Sequence, residues 1–589
     1  MRLLFINKCL NNKNNYDTIY SGGVCGFHYK SDYPYPQFYV FDSSGTKYNK
    51  GDSYMRVADI YCGAGGFSEG FRQAGFDIVF AIDKWEPAVN TFKANKPNSV
   101  VVQDDVIRIS KLPDDEFHSL IPDTEVIIGS PPCVAFSNSN KSGNGDKSLG
   151  IDLLKAFFRI IARKKYKKDS ILRYWVLENV PNIEKYIQEK YLPSDLDIEG
   201  DFCFIPINQA SGVYNAKYYG APTNRKRFLC GEFPEPLKTN NDDNIISFKT
   251  VLNSLGEPCE GNNDNIIDSN YQNLQLPRNN LTDHHYLYML QPFEWESAKR
   301  LKEDRGYMGK MSFPENLNKP ARTVMATMST SSRESMIISA ENGGYRLPTV
   351  REAATLMSFP IDYRFYGNSK GTKHTLVGNS VPPKMSYAIA RAILFDANEI
   401  LPDEYIPINH NPNIDFYNLN GVIFPEKQEK RKRDTAKFKY HIPYFIINSY
   451  RIELTNYHSD FKNKIFKWDV EIHYSQGKKK ARVFNPAINK RYIEKKLLTR
   501  CNEFVKHIKP MISKTYNDFQ KIYCMTTRER LQKKLIGPYE ILNLVKEFLN
   551  NNKESLSDEH LQVNDSDLNI PESIYLGYYL LSKLLLSMR

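Results

Sequence analysis

A chain of 589 residues is too long for one ordinary domain, and its 41% hydrophobic and 25% charged residues suit a globular protein and exclude a collagen-like or disordered one. The net charge of +11 is concentrated late: residues 427–534 hold 28 Lys+Arg against 10 Asp+Glu, a surface that invites a polyanion such as nucleic acid. Nine scattered cysteines without a C-x-x-C pair argue against a zinc ribbon or a disulfide framework, and the apolar runs "MRLLFINKCL" and "IYLGYYLLSKLLLSM" are too short for a signal peptide or a bilayer span, so a cytoplasmic protein without membrane contact is expected.

Residues 1–55 are rich in Tyr, Asn and Gly, and "SDYPYPQFYVFDSSG" suggests strands and turns without a role. From Arg56 the pattern changes. "RVADIYC" reads as a strand, "GAGG" as a tight turn, and "FSEGFRQAG" as a helix closed by Gly75. "DIVFAID", "SVVVQDDV", "TEVIIGSPP" and "YWVLENV" are further short apolar strands, with the helix "EPAVNTFKAN" between the first two. The alternation predicts an α/β fold with a doubly wound, mostly parallel sheet, whose ligands bind beyond the carboxyl ends of the strands. It lapses over 236–345, which is rich in Asn, Asp and Pro, and returns over 346–400. Residues 401–435 read as a linker, and 436–589 as a separate basic α+β domain in which "IFKWDVEIHYSQGKKKARVF" predicts a hairpin turning at Gly477.

The notable motifs fall at strand ends. "DIYCGAGGFSEG" has Ser68 where the third glycine of a dinucleotide fingerprint belongs. Asp59, Asp83 and Asp105 offer three acids at three strand ends, which suit a cationic, phosphate-free nucleoside such as S-adenosylmethionine better than a pyrophosphate. A glycine turn with capping acids explains the same residues without a ligand. Cys133 follows the strand "EVIIG" behind two prolines that restrict its approach, and the small polar run 137–150 has the composition of a mobile lid. Such a setting suits an attacking thiolate, although most cysteines are inert packing.

Six motifs in order, "DIYCGAGGFSEGF", "GSPPCVAFS", "LENV", "YYGAPTNRKRFLCG", "RLPTVREAATLMSFPIDY" and "HTLVGNSVPPKMSYAIARAI", resemble those of the DNA (cytosine-5) methyltransferases from about Arg56 to Ala397. The resemblance implies a methyl transfer from S-adenosylmethionine to carbon 5 of a cytosine flipped out of a specific duplex sequence. It implies Cys133 as the nucleophile at carbon 6, Glu178 at N3 and N4 of the base, Arg227 at O2, and Arg225 steadying the loop or the thiolate. Alone, Glu178 is equally a helix-capping acid, and Arg225 and Arg227 equally a basic strand face.

For the cofactor, the resemblance implies Tyr61 stacked on adenine, and Gly63, Ala64 and Gly66 at the methionine end. Asp83 would take the ribose, with Lys84, Asp105 and Val106 around the adenine, Pro132 near the nucleophile, and Asn379, Ser380 and Val381 completing the pocket. Target recognition is expected within 236–345, with Ser137, Arg322 and Arg333 contacting DNA. No metal is implied. Expected partners are double-stranded DNA and, in a restriction-modification setting, a cognate restriction endonuclease, with the chain a monomer. Val134, Thr223 and Tyr61 depart from the usual Gln, Gln and Phe, which puts loop contacts rather than the chemistry in question.

Rival readings are an RNA (tRNA) cytosine-5 methyltransferase and a non-catalytic DNA-binding protein on this fold. The basic C-terminal domain lies outside the resemblance. It reads as added DNA affinity, as a partner surface, or as a fused nuclease using Asp469, Glu494 and Lys496.

Overall fold

The computed structural model describes residues 25–28, 37–40, 55–132, 147–259, 261, 264–304, 309–341, 343–399, 401–402, 405–475, 481–556, 560–563 and 569–588. Cys133, Ser137 and Gly477, singled out above, lie outside these residues. Within 1–55, strands β1 (Cys25–His28) and β2 (Gln37–Val40) pair antiparallel.

The central layer runs β3 (Arg56–Ile60), α1 (Gly66–Gln73), β4 (Asp77–Asp83), α2 (Glu86–Asn95), β5 (Val100–Gln103), α3 (Val106–Ser110), α4 (Asp114–Leu120), β6 (Val126–Gly129), α5 (Ser148–Lys165) and β7 (Tyr174–Asn179). It continues with β8 (Gly212–Asn215), β9 (Thr223–Asn224) and β10 (Lys226–Glu232). The seven-stranded sheet has the order β5-β4-β3-β6-β7-β10-β8, its first five strands parallel and β10 antiparallel to both its neighbours. Every residue of β7 is buried, as expected of a central strand covered on both faces.

Alternate side chains feed two cores. Val57, Ala81, Ile128 and Val176 face one way and meet Phe67 and Phe71 of α1; Ala58, Phe80, Ile127 and Trp175 face the other and meet Leu154, Phe157 and Ile161 of α5.

The region between 236 and 380 is built from α6 (Phe248–Leu255), β11 (Asn265–Ile267), β12 (Gln275–Pro277), α7 (Pro292–Glu303), β13 (Ala321–Arg322), β14 (Ile338–Ser339), β15 (Tyr345–Arg346), α8 (Val350–Leu356) and α9 (Lys370–Asn379). The helix α10 (Pro383–Ala397) then returns to the sheet. The segment 346–400, read from sequence as one return to the catalytic layer, therefore divides. Val350, Ala353, Leu376 and Val377 of α8 and α9 share a core with Phe248 and Leu255 of α6, whereas Met385, Ile389 and Ile393 of α10 pack under the sheet with α1.

Residues 401–435 carry no helix or strand among those described, yet they are tied down. Arg72 Nη2 donates to Ile406 O at 2.9 Å, Asn411 N to Ala94 O at 2.8 Å and Asn420 Nδ2 to Leu281 O at 2.6 Å, so the expected linker is a strap across both regions.

The C-terminal region is a four-stranded antiparallel sheet, β16 (Lys439–Ile447), β17 (Tyr450–Thr455), β18 (Asp469–Tyr474) and β19 (Arg482–Phe484), followed by helices that include α11 (Lys495–Ile508), α12 (Tyr516–Cys524), α13 (Thr527–Gln532), α14 (Pro538–Asn551) and α15 (Glu572–Leu586). Ile442, Ile452, Leu454 and Ile472 on one sheet face join Leu542 and Val545 of α14 and Leu576 and Leu580 of α15 in a separate core. The apolar run near the chain end is thus a core helix. No helix of the described residues is long and apolar enough to cross a membrane. This region meets α7, where Tyr440 Oη donates to Asp304 Oδ2 at 3.0 Å and the Arg300 guanidinium lies 4.5 Å from the Tyr539 ring centre.

Candidate active site

Strands β6 and β7 are parallel with Gly129 beside Leu177, so the next residues, Ser130 and Glu178, emerge together at their carboxyl ends. Ser130 Oγ donates to Glu178 Oε2 at 2.6 Å. On the other side β10 pairs with β7, Leu229 opposite Glu178, and Arg227 lies two residues along on the same face. Its Nε sits 2.8 Å from Glu178 Oε1. The carboxylate is 4% exposed and held between a hydroxyl and a guanidinium, which fix its direction.

Asn179 extends the arrangement: its Nδ2 donates to Pro131 O at 2.8 Å while its Oδ1 accepts from Val180 N at 2.8 Å. The exit of the "SPP" segment is thereby tied to the same strand end as Glu178. Pro131 is buried and Pro132 exposed, so the chain reaches the surface at the residue that precedes Cys133. Ser130 and Asn179 were not among the residues expected in the site. Strand ends aligned in a parallel pair are the signal that would have found them.

Arg225 takes a different course from Arg227. It is buried; Nη1 donates to Val324 O at 3.1 Å, and Nη2 to Gly378 O and Ser380 O at 3.0 Å each. These bonds run to the small region and to the end of α9, so the guanidinium is a clamp between three segments, a role the resemblance did not imply; the loop it was expected to steady lies outside the described residues. Thr223 Oγ1, at the position where Gln is usual, donates to Arg322 O at 3.1 Å, beside the parallel pairing of β9 with β13.

The cofactor residues line the neighbouring strand ends. Gly63 has φ +54 with no atom within 4 Å of where a Cβ would stand, so its backbone is bare, and its N–H donates to Asp83 Oδ2 at 2.9 Å. Asp83 Oδ1 accepts from Trp85 N at 2.8 Å, which leaves a further lone pair on each oxygen. Burial raises the Asp83 pKa, with backbone hydrogen bonds opposing. Lys84 Nζ donates to Asp105 Oδ2 at 2.8 Å and holds that carboxyl below its usual range, and Asp105 caps α3 through Ile107 N.

Tyr61, at φ 61, donates its hydroxyl to Leu153 O of α5 at 2.8 Å. The Val106 side chain is buried in the core, so only its backbone faces outward chemistry. Ala64 joins the small-region core. A Cβ on Gly66 would overlap the Val381 carbonyl, which brings the Asn379–Val381 turn against the glycine turn; Asn379 is exposed there and Ser380 buried.

Asp59 departs from its expected place among the ligand-facing acids. It is 1% exposed, accepts the Ser68 hydroxyl, and is pushed by burial up to about 7. Ser68, in the place of the third fingerprint glycine, serves this internal bond. The recognition arginines are also engaged: Arg322 Nε lies 2.9 Å from Glu315 Oε2, and Arg333 Nε donates to Leu301 O at 3.1 Å.

The suspected nuclease triplet is not assembled. Asp469 on β18 pairs with His458 at 3.0 Å and Lys467 at 3.4 Å, while Glu494 and Lys496 are exposed at the start of α11.

The family model for C-5 cytosine-specific DNA methylase matches residues 55–394. The chain is 30% identical over 362 residues to the type II methyltransferase M.MthTI of Methanothermobacter thermautotrophicus, covering 59% of this chain and 99% of that one. It is 29% identical over 367 residues to the type II methyltransferase M1.HphI of Haemophilus parahaemolyticus, covering 58% and 87%. Among solved structures, S. pombe Dnmt2 methyltransferase aligns with a TM-score of 0.39 at 18% identity, covering 58% and 99%. With its first motifs at strand ends of one mostly parallel sheet and a family match over more than half its length, the chain belongs to the C-5 cytosine-specific DNA methylases and is a DNA cytosine methyltransferase.

Proposed function

We propose that this enzyme methylates carbon 5 of a cytosine flipped out of a specific duplex sequence, through a covalent bond from Cys133 to carbon 6, in a restriction-modification setting with a cognate endonuclease. The observation that carries the reading is Glu178 on β7, buried and held between Ser130 at 2.6 Å and Arg227 at 2.8 Å, beside the end of β6 from which the Pro131–Pro132 segment leads to Cys133.

Carbon 5 of cytosine is a weak nucleophile. Attack of the Cys133 thiolate on carbon 6 makes the ring an enamine, and the negative charge pushed toward N3 needs a partner. Glu178 would hold the N3 and N4 edge and share the proton there, while Arg227 would reach O2. After transfer, water takes the C5 proton and the thiolate departs from carbon 6, restoring the aromatic ring and the free cysteine.

S-Adenosylmethionine, when bound, supplies the electrophilic methyl group. The residues present fit it: a bare backbone at Gly63, acceptor carboxylates at Asp83 and Asp105 rather than a phosphate cradle, and the Val381 turn closing on Gly66. Tyr61, Ala64, Lys84, Val106, Pro132, Asn379 and Ser380 complete the proposed holder. Residues 236–345 would read the sequence, with the chain acting as a monomer.

The test is incubation of duplex DNA, and in parallel of tRNA, with methyl-labelled S-adenosylmethionine beside a Cys133→Ser variant, followed by base analysis and bisulfite mapping. 5-Methylcytosine from the unaltered protein alone supports the mechanism and reveals the target. Equal label from the variant overturns the nucleophile, and label confined to tRNA overturns the DNA reading.

A further inference from the structure

The C-terminal sheet has two unlike faces. Ile452 and Leu454 of β17 and Val470 and Ile472 of β18 point into the apolar core. The alternate residues, Arg451, Glu453 and Thr455 on β17 and Asp469, Glu471 and His473 on β18, share the opposite face, with Lys439 and His441 of β16 beside them. A sheet that needed only a solvated face would not bury these groups, yet Glu453, Glu471 and His473 are 6%, 5% and 3% exposed.

Three of them converge. Glu453 and Glu471 are directly paired across β17 and β18, and His473 stands two residues beyond Glu471. Their ligating atoms all lie within 4.8 Å of one another. His473 Nε2 is 2.8 Å from Glu471 Oε2 and 3.1 Å from Glu453 Oε2. Adjacent ligands of an octahedral cation with bonds of 2.0–2.1 Å stand about 3 Å apart, so these spacings fit a shared ion.

Glu453 Oε2 is buried and accepts no hydrogen bond, with the Lys439 ammonium and the His473 ring as its charged neighbours, while Oε1 accepts from Arg451 Nε at 2.6 Å, which turns Oε2 toward the cluster. The cluster opens to solvent at Lys439 and His458. Lys439 Nζ is 3.2 Å from Glu453 and 3.7 Å from Glu471, and His458 Nε2 is 3.6 Å from Glu471.

We infer that Glu453, Glu471 and His473 hold a divalent cation of the magnesium–manganese class, and that with Lys439 they form a phosphodiester-hydrolysing centre in the basic C-terminal domain. Two carboxylates and an imidazole suit such a cation. The cation lowers the pKa of a bound water. The water oxygen forms a bond to phosphorus as its proton passes to solvent, the bond from phosphorus to the leaving sugar oxygen breaks, and that oxygen takes a proton from solvent. Lys439, 36% exposed, meets the charge that develops on the phosphate. The basic excess of residues 427–534 supplies attraction for the nucleic-acid backbone. This centre is distinct from Asp469, Glu494 and Lys496, and independent of the methyl-transfer site.

The test uses the full chain without S-adenosylmethionine. Manganese binding is titrated by the loss of the free-ion electron paramagnetic resonance signal, and cleavage is scored on an unmethylated phage genome, long enough to hold every short recognition sequence many times. Saturable manganese binding is expected, weakened at least about tenfold in Glu471→Gln and in His473→Ala, with cleavage lost in both. Lys439→Ala, near the solvent edge, should keep manganese binding while cleavage falls at least about tenfold. Methyl transfer to DNA is measured for each variant and should persist, which shows that the chain has folded. No saturable binding, binding unchanged in Glu471→Gln, or manganese bound with the phage genome left intact each overturns the inference.

Discussion

Arg225 separates a structural role from a chemical one. Replacing it with Met keeps much of the side-chain volume and removes the guanidinium that bonds the carbonyls of Val324, Gly378 and Ser380. Each buried carbonyl left without a donor costs about 1–3 kcal/mol, and the relief of no longer burying a charge offsets part of the sum, so a net loss of about 3–5 kcal/mol is expected. Arg225→Lys should lose nearly as much, because an ammonium lacks the planar fork that spans three acceptors.

The assay is amide hydrogen exchange of the peptide covering residues 370–382, read by mass spectrometry beside urea unfolding. Exchange there should quicken by roughly two to three and a half orders of magnitude, since each tenfold corresponds to about 1.4 kcal/mol. The KM for S-adenosylmethionine should rise as the turn beside Gly66 loosens, while turnover at saturation changes much less. Unchanged exchange and an unchanged urea midpoint, with methylation abolished, would refute the clamp and return Arg225 to the chemistry.

Glu178→Gln should lower turnover about 10²–10⁴-fold in single-turnover methylation with DNA affinity in gel shift retained, because the hydrogen bond from Ser130 survives while the shared proton does not. Asp59 tests the buried acid. Burial raises it from 3.8 to about 7, so the folded state keeps a proton that the unfolded state releases, and stability falls as pH rises between those values. The loss reaches about 4 kcal/mol above pH 7. Asp59→Asn should therefore unfold at higher urea than the unaltered protein at pH 8 and show a flatter profile from pH 4 to 8, and an unaltered slope would contradict the raised pKa. Gly70→Ala sets a Cβ against Ser386 Oγ and the Pro383 and Tyr387 backbone, so α1 and α10 must part, with about 1–3 kcal/mol lost in calorimetry.

Much of the catalytic layer was legible because short, two-sided apolar strands alternate with helices, and because residues that act at strand ends must follow strands. The positions of Glu178 and the glycine turn follow from that alone. Arg225 and Arg227 were harder. Their spacing fits one face of a strand, but Arg225 falls between β9 and β10, and its partners are 99 to 155 residues away in sequence. Asp59 and Asp83 look alike on paper; only the packing of Ser68 against one and the bare Gly63 beside the other divides an internal acid from an accessible one.

The C-terminal domain reversed the order of difficulty. "WDVEIHY" announces a strand, yet a loose D…E-x-K spacing drew attention to Glu494 and Lys496, which are exposed at a helix start. Local periodicity, Gly and Pro punctuation, and motif order are short-range properties, so the amino-acid sequence determined the strands, the family and the candidate nucleophile. Which polar groups share a pocket depends on register between strands and on chain segments far apart in sequence. For that reason the tertiary structure alone decided that Arg225 clamps, that Asp59 is interior, and that Glu453, Glu471 and His473 meet.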